Sequence, residues 1–287
     1  MAAENELQVH AEDAGIAGRA ARAAIAEVQR IEAKYSRYRP ESVVSRINAA
    51  AGKDAVAIDE ETARLLDFAD ACWRQSDGAF DPTSGILRRA WRFDVARVPL
   101  EAELAPLLGL IGWDRVERDA AAIRLPQAGM ELDFGGFGKE YAVDRAATVL
   151  AEHGIASAFA NLAGDIAILG EQPGAEPWQV GIRHPREKDG LIARLPVASG
   201  GMATSGDYER FVVVDGMRHC HILDPRTGHS ARGLQSVTVH ATSCIVAGSA
   251  TTIAMLKGAI DGMAWLEALG LPYFCVSEDG TVAHTFR

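Results

Sequence analysis

Ser157-Ala158-Phe159-Ala160-Asn161-Leu162-Ala163-Gly164-Asp165-Ile166-Ala167-Ile168-Leu169 is two short apolar runs separated by small and polar residues. Runs of that length, broken at an Asn-x-x-Gly step, read as two paired strands with a tight connection at Asn161–Asp165. On the N-terminal side, Lys139–His153 has Val143, Ala146, Ala147 and Leu150 at helical spacing, and Gly154 stands ready to stop the helix. On the C-terminal side strands continue: Trp178–Arg183, Arg194–Ala198, Phe211–Val214 and His219–Leu223, with Asp215-Gly216 as a hairpin turn that needs positive φ. Helix and strand therefore mix without a regular βαβ rhythm, which favours an α+β fold over a doubly wound sheet.

The flanks extend this reading. Glu6–His10 predicts a first strand, and Ile16–Tyr35 a helix with Ile25, Val28, Ile31 and Tyr35 inward. A second helix starts at Asp59, an N-cap residue type, buries Leu65, Leu66, Ala69, Cys72 and Trp73, and stops at Gly78. Gln235–His240 reads as a strand leading into a helix over Ala247–Lys257; a further helix (Asp261–Leu269) and a hairpin about Asp279-Gly280 close the chain. With no repeat or long linker, residues 1–287 read as one compact unit of two lobes, with mixed sheets and a ligand cleft between the lobes.

The chain has 29 Lys and Arg against 39 Asp and Glu, a formal net charge of −10. No basic stripe exists to displace counterions, so a nucleic-acid partner is not expected. Cys244–Leu256, the most apolar stretch, is short and carries Ser249, Thr251 and Thr252, so no membrane span is expected. Cys72, Cys220, Cys244 and Cys275 form no CxxC pair and read as buried free thiols. The first residues lack a secretory pattern and a lipoprotein cysteine, so the expected compartment is the cytoplasm.

Four segments place reactive side chains beside permissive backbone. Leu132-Asp133-Phe134-Gly135-Gly136-Phe137-Gly138-Lys139 ends at a helix start, where it can be a structural turn or an anion cradle with Lys139 as a point charge. Asn161–Asp165 is the sheet connection already noted. Ala203-Thr204-Ser205-Gly206-Asp207-Tyr208 precedes a strand and can cap backbone groups or bind phosphate. In His219-Cys220-His221-Ile222-Leu223-Asp224-Pro225-Arg226-Thr227-Gly228 the two histidines alternate onto one strand face. No third metal ligand stands at zinc spacing.

Taken in order, these segments resemble the ApbE family, the FAD:protein FMN transferases. The resemblance rests on Tyr35–Asn48, Gly78-Ala79-Phe80-Asp81-Pro82-Thr83, Leu132–Asp144, Thr204-Ser205-Gly206-Asp207-Tyr208 and His221–Gly228. It implies an enzyme that cleaves the FAD pyrophosphate with Mg²⁺ and attaches FMN to a Thr or Ser of an acceptor protein. By motif, the FAD contacts would be Tyr38, Ala79, Phe80, Asp81, Asp133, Lys139 and Leu223, with Met1 at the start of the first strand. His221 or Asp207 would be the base for the acceptor hydroxyl, and the Gly136 carbonyl and Thr252 would ligate the metal.

One departure bears on activity. Where the family has A-D-A-x-x-T, with Asp and Thr one helical turn apart as metal ligands, this chain has Ala247-Gly248-Ser249-Ala250-Thr251-Thr252. Thr252 is kept, and Gly248 stands in place of the Asp. Glu140 also replaces the usual Gly after Lys139, and Ala163 a frequent Gly in N-x-G-G-D. The alternatives to a transferase are therefore a flavin-binding homologue with a degraded metal site, or a FAD pyrophosphatase.

Overall fold

The structure is a computed structural model that describes residues 4–286; Met1 lies outside the described residues. Strand β1 (Asn5–His10) leads into α1 (Ala14–Tyr35), whose N-cap Asp13 accepts a bond from the Ile16 amide. A short α2 (Val43–Ala49) follows, capped by Ser42. Then come β2 (Val56–Ala57) and α3 (Glu60–Gln75), which Asp59 caps as its residue type predicts. After α4 (Glu101–Leu108), strands β3 (Glu117–Arg118) and β4 (Ala122–Arg124) complete a small sheet ordered β2-β4-β3.

Helix α5 (Gly138–Glu152) opens the second half, followed by the hairpin β5 (Ser157–Leu162) and β6 (Asp165–Leu169). The Ala163–Gly164 connection has φ 55° and 94°, the two left-handed residues of a tight hairpin turn. A second hairpin pairs β7 (Trp178–Arg183) with β8 (Leu191–Val197). Strand β9 (Gly200–Gly206) precedes the hairpin β10 (Phe211–Val214) and β11 (Met217–Cys220), whose Asp215-Gly216 turn has φ 50° and 76° as its residues require. Strand β12 (Leu234–Ala241), helix α6 (Cys244–Leu269) and the hairpin β13 (Tyr273–Ser277) and β14 (Val282–His284) end the chain.

The main sheet runs β1-β5-β6-β9-β12-β13-β14, and its pairings are antiparallel throughout. Helices α5 and α6 lie against it, and the core binds Val143 of α5, Val237 and Val239 of β12, and Ala247 and Ile253 of α6 into one apolar cluster. The fold is α+β.

The structure adds to and changes the sequence reading. The Ala203–Gly206 segment, read only as preceding a strand, is itself strand: it forms the end of β9, in the middle of the sheet, paired with β12. A Cβ on Gly201 of that strand would run into the backbone at Ser243 and Cys244, so small residues here let the start of α6 close on the sheet. Strand β11 ends at Cys220, and the two histidines meet different surroundings: His219 is buried against Trp91 and His221 opens onto the cavity. The two C-terminal helices read from the sequence are present within α6, separated at Gly258, where φ is 79° and ψ −175°. By length and hydropathy α6 could span a membrane, yet half of its most apolar window is buried inside this fold. All four cysteines are free and buried.

Candidate active site

A cavity of 1620 Å³ opens between the sheet and the segments that precede α5. It is larger than most small-molecule sites, which run from roughly 300 to 1,000 Å³. Ten of the eleven residues singled out from the sequence line it: Tyr38, Ala79, Phe80, Asp81, Asp133, Gly136, Lys139, His221, Leu223 and Thr252. Asp207 does not.

The Gly78–Thr83 turn is held by one carboxylate. Asp81 Oδ1 accepts from the Thr83 amide (2.7 Å) and hydroxyl (2.6 Å), and Oδ2 accepts from the Trp113 amide (3.1 Å). The Thr83 oxygen in turn accepts from the Gly112 amide. Burial pushes the Asp81 carboxyl up, and those same bonds oppose the shift. With two bonds from its own turn and one from the Trp113 segment, Asp81 fixes the turn that presents Phe80. Next to it, Asp133 forms an ion pair with Arg37 and accepts the Gly135 amide at 3.0 Å. The Arg37 guanidinium also lies 4.9 Å over the Tyr38 ring and donates to its hydroxyl, so Tyr38, 76% exposed, is steadied at the cavity rim.

Gly135 and Gly136 bring backbone to the cavity wall at the start of α5. A Cβ on Gly136 would come within 3.1 Å of the Phe80 ring, so a side chain there would displace the aromatic wall. Lys139, in the first turn, places Nζ 2.7 Å from Asp165 Oδ2. Burial works against the ammonium, but the Asp165 carboxylate outweighs it and raises the Lys139 pKa. Lys139 is therefore a fixed positive charge on the wall.

Helices α5 and α6 meet in antiparallel register, one turn at a time. Asp144 of α5 accepts the amides of Cys244 and Ile245 (2.7 and 2.9 Å), capping the start of α6. One turn along, Glu140 lies against Gly248: a Cβ at Gly248 would stand 2.6 Å from Glu140 Cγ and 2.9 Å from Oε1. One turn further, Gly136 and Thr252 both reach the cavity. Glu140 is 7% exposed; no amide or hydroxyl donates to its Oε2, and its carboxyl bonds to that of Asp165. Burial and the neighbouring Asp165 carboxylate push the Glu140 carboxyl up. Beside Thr252, Ser205 Oγ lies 2.8 Å from Thr251 Oγ1 and 3.2 Å from Thr252 Oγ1.

On the opposite wall His221 opens onto the cavity with its amide bonded to the Arg210 carbonyl. Enclosure by the walls, and then the Arg210 charge, hold its imidazole below the ordinary histidine value. His219 is buried against Trp91, at 5.7 Å between ring centroids, with neither ring nitrogen bonded. Asp207 is held in a two-bond fork by Arg186, at 2.6 and 2.7 Å. That ion pair leaves His221 as the base candidate on the cavity wall.

Sequence reasoning did not select Arg37, Asp165 or Ser205, although all three lie within the segments it quoted. A charge needed to steady another charge shows no spacing of its own, and only the fold brings Lys139 to Asp165.

The ApbE family model matches residues 1–275. The chain belongs to the ApbE family. Its relatives include the FAD:protein FMN transferase of Klebsiella pneumoniae, 33% identical over 266 residues, which span 91% of this chain and 81% of the relative. The FAD:protein FMN transferase of Treponema pallidum is 33% identical over 80% of this chain and 72% of its own length. Among solved structures, the ApbE protein of Thermotoga maritima superposes with a TM-score of 0.88 at 33% identity, covering 97% of this chain and 93% of that one. The apo flavinyl transferase ApbE of Pseudomonas stutzeri gives 0.84 at 27% identity, over 98% and 90%.

Proposed function

We propose that this protein is a FAD:protein FMN transferase that moves FMN from FAD to a Thr or Ser hydroxyl of an acceptor protein. The observation that carries the reading is the convergence of ten motif residues, from segments scattered along the chain, on one cavity. In the reaction the acceptor oxygen bonds to the FMN phosphorus, the bond from that phosphorus to the bridging oxygen breaks, and AMP leaves. Lys139 offers its charge to the diphosphate, and the backbone at Gly135 and Gly136 allows close approach. Phe80 and Tyr38 supply aromatic faces for planar rings. His221, kept neutral near pH 7 by its lowered pKa, takes the proton from the acceptor hydroxyl.

The residues present fit a Mg²⁺ ion. Among the described residues no three His, Cys, Asp or Glu side chains form a ready cage, but Mg²⁺ shared with phosphates needs only one or two protein carboxylates. The Thr252 hydroxyl and Gly136 carbonyl, both on the cavity, would give it two neutral oxygens, with the carboxylate to come from a further side chain, and it would neutralise charge on the diphosphate when bound.

The test is incubation with FAD, Mg²⁺ and a flavin-accepting protein, read by mass spectrometry. A gain of one FMN, less water, on a Thr or Ser supports the reading. AMP release with no mass gain would make the protein a pyrophosphatase instead.

A further inference from the structure

Gly248 looks, in the sequence, like a carboxylate lost from the cavity wall. The structure shows what fills its place. The Glu140 side chain crosses from α5 to lie on Gly248, so close that even a methyl group there would collide with it. The contact has a fixed register, because Asp144 anchors the same two helices one turn away through the Cys244 and Ile245 amides. Residues i and i+4 share a helix face, so Glu140 must meet Gly248 once Asp144 meets Cys244. The following turn is Gly136 beside Thr252, on the cavity. A carboxylate thus stands at the Gly248 level, carried by the opposite helix.

Two further observations separate this group from a mere plug. No amide or hydroxyl donates to the buried Glu140 Oε2, and the Glu140 carboxyl bonds instead to the carboxyl of Asp165, whereas a packing residue in an apolar gap would be favoured as Leu or Met. The surroundings are also oxygen-rich: the Thr251 hydroxyl donates to the Gly248 carbonyl (2.8 Å), and Ser205 links Thr251 to Thr252. Lys139 is engaged with Asp165. Hard oxygen donors around two adjoining carboxyl groups suit a small divalent cation.

We propose that Glu140 supplies the protein carboxylate for the divalent cation of this site, acting with Thr252 and the Gly136 carbonyl, so that the ligand has moved between helices rather than disappeared. This deepens the transferase reading and rests on it for the cation's role, but not for its binding.

The test titrates the full chain with Mn²⁺ alone, following the free ion by electron paramagnetic resonance, with thermal melts to show that each variant folds. Wild type should bind one Mn²⁺, and Glu140→Gln, nearly isosteric, should weaken binding by at least about tenfold. Returning the carboxylate to the other helix in the double variant Glu140→Gly with Gly248→Asp should restore most of the affinity. Wild-type affinity in Glu140→Gln, absence of binding in wild type, or a double variant as weak as Glu140→Gln would each overturn the proposal. FMN transfer is assayed in parallel. Transfer with unchanged Mn²⁺ affinity in Glu140→Gln removes Glu140 and leaves the transferase. The expected Mn²⁺ pattern with no transfer by wild type does the reverse.

Discussion

Asp81, on the cavity wall, and Glu140, next in sequence to the wall residue Lys139, are both buried carboxylates, and they are built in opposite ways. Asp81 accepts from amides and a hydroxyl with both oxygens, through bonds from Thr83 in its own turn and Trp113 in a neighbouring segment. Glu140 bonds to another carboxyl, that of Asp165, and lies against a glycine that has no side chain to answer it. Burial raises both pKa values, so desolvation alone does not tell them apart. The kind of partner does: Asp81 is held by amide and hydroxyl donors, whereas two carboxyl groups set against each other in the interior call for a reason. The Asp81 corner holds shape, and the Glu140 corner is left to meet something else.

The largest effect should come from breaking the satisfied corner. Asp81→Ala would strand two buried amides and a hydroxyl, and should cost about 3 kcal/mol or more of unfolding free energy, measured by chemical denaturation. Asp81→Asn keeps one acceptor oxygen and should lose less. If Asp81→Ala melted like wild type, the contrast with Glu140 would fail at its structural end.

Next is the fit between helices. Gly248→Asp alone drives a side chain into Glu140 and sets two carboxylates together, so it should destabilise by about 2 kcal/mol. Combined with Glu140→Gly, the same substitution should cost much less. A favourable coupling of roughly 1–3 kcal/mol in the double-mutant cycle is expected, and strict additivity would separate the two positions. Reinstating the family Asp by itself is therefore the wrong experiment for this chain, a point that only the Glu140 contact reveals.

How much of this was legible beforehand follows from the kind of signal. Asp59 and Asp215-Gly216 act within a few residues of themselves, and the cap and the turn formed where they were read. Helix α2 was not foreseen, since its seven residues offer too short a period to register against a polar surround. Strand β9 was not foreseen because glycine and hydroxyl residues are turn-formers locally; in the sheet their small size is what α6 requires. Ten residues of the cavity wall were found through ordered motifs. The Glu140–Gly248 contact needs the helix register, which no local pattern encodes, and the Arg186 fork on Asp207 likewise joins distant segments.

A smaller effect concerns Asp144, which anchors that register. Its carboxyl is raised by burial from 3.8 to about 6, against the two amides it accepts. A carboxyl raised on folding contributes stability below its unfolded pKa and loses it as pH rises through the folded value. Wild type should therefore lose stability relative to Asp144→Asn as pH climbs from about 4 to 6, by on the order of 1–2 kcal/mol. A difference between the two proteins that is flat with pH would mean that Asp144 is not desolvated at the helix start.

The smallest expected effect lies in the β5–β6 turn beside the Glu140 corner. Ala163 holds φ at 55°, a left-handed conformation that costs a residue with a Cβ roughly 1–2 kcal/mol. Its carbonyl faces the Lys139 ammonium at 3.4 Å, and Asp165, the partner of that ammonium, follows two residues on. Ala163→Gly relieves the strain but loosens the unfolded chain by about 0.4–1 kcal/mol. The net gain should be near 0.5 kcal/mol, with the Lys139–Asp165 pair undisturbed. A thermal melt that falls instead would show that the Ala163 methyl supports the wall, and that the Glu140 corner is braced as tightly as the Asp81 corner across the cavity.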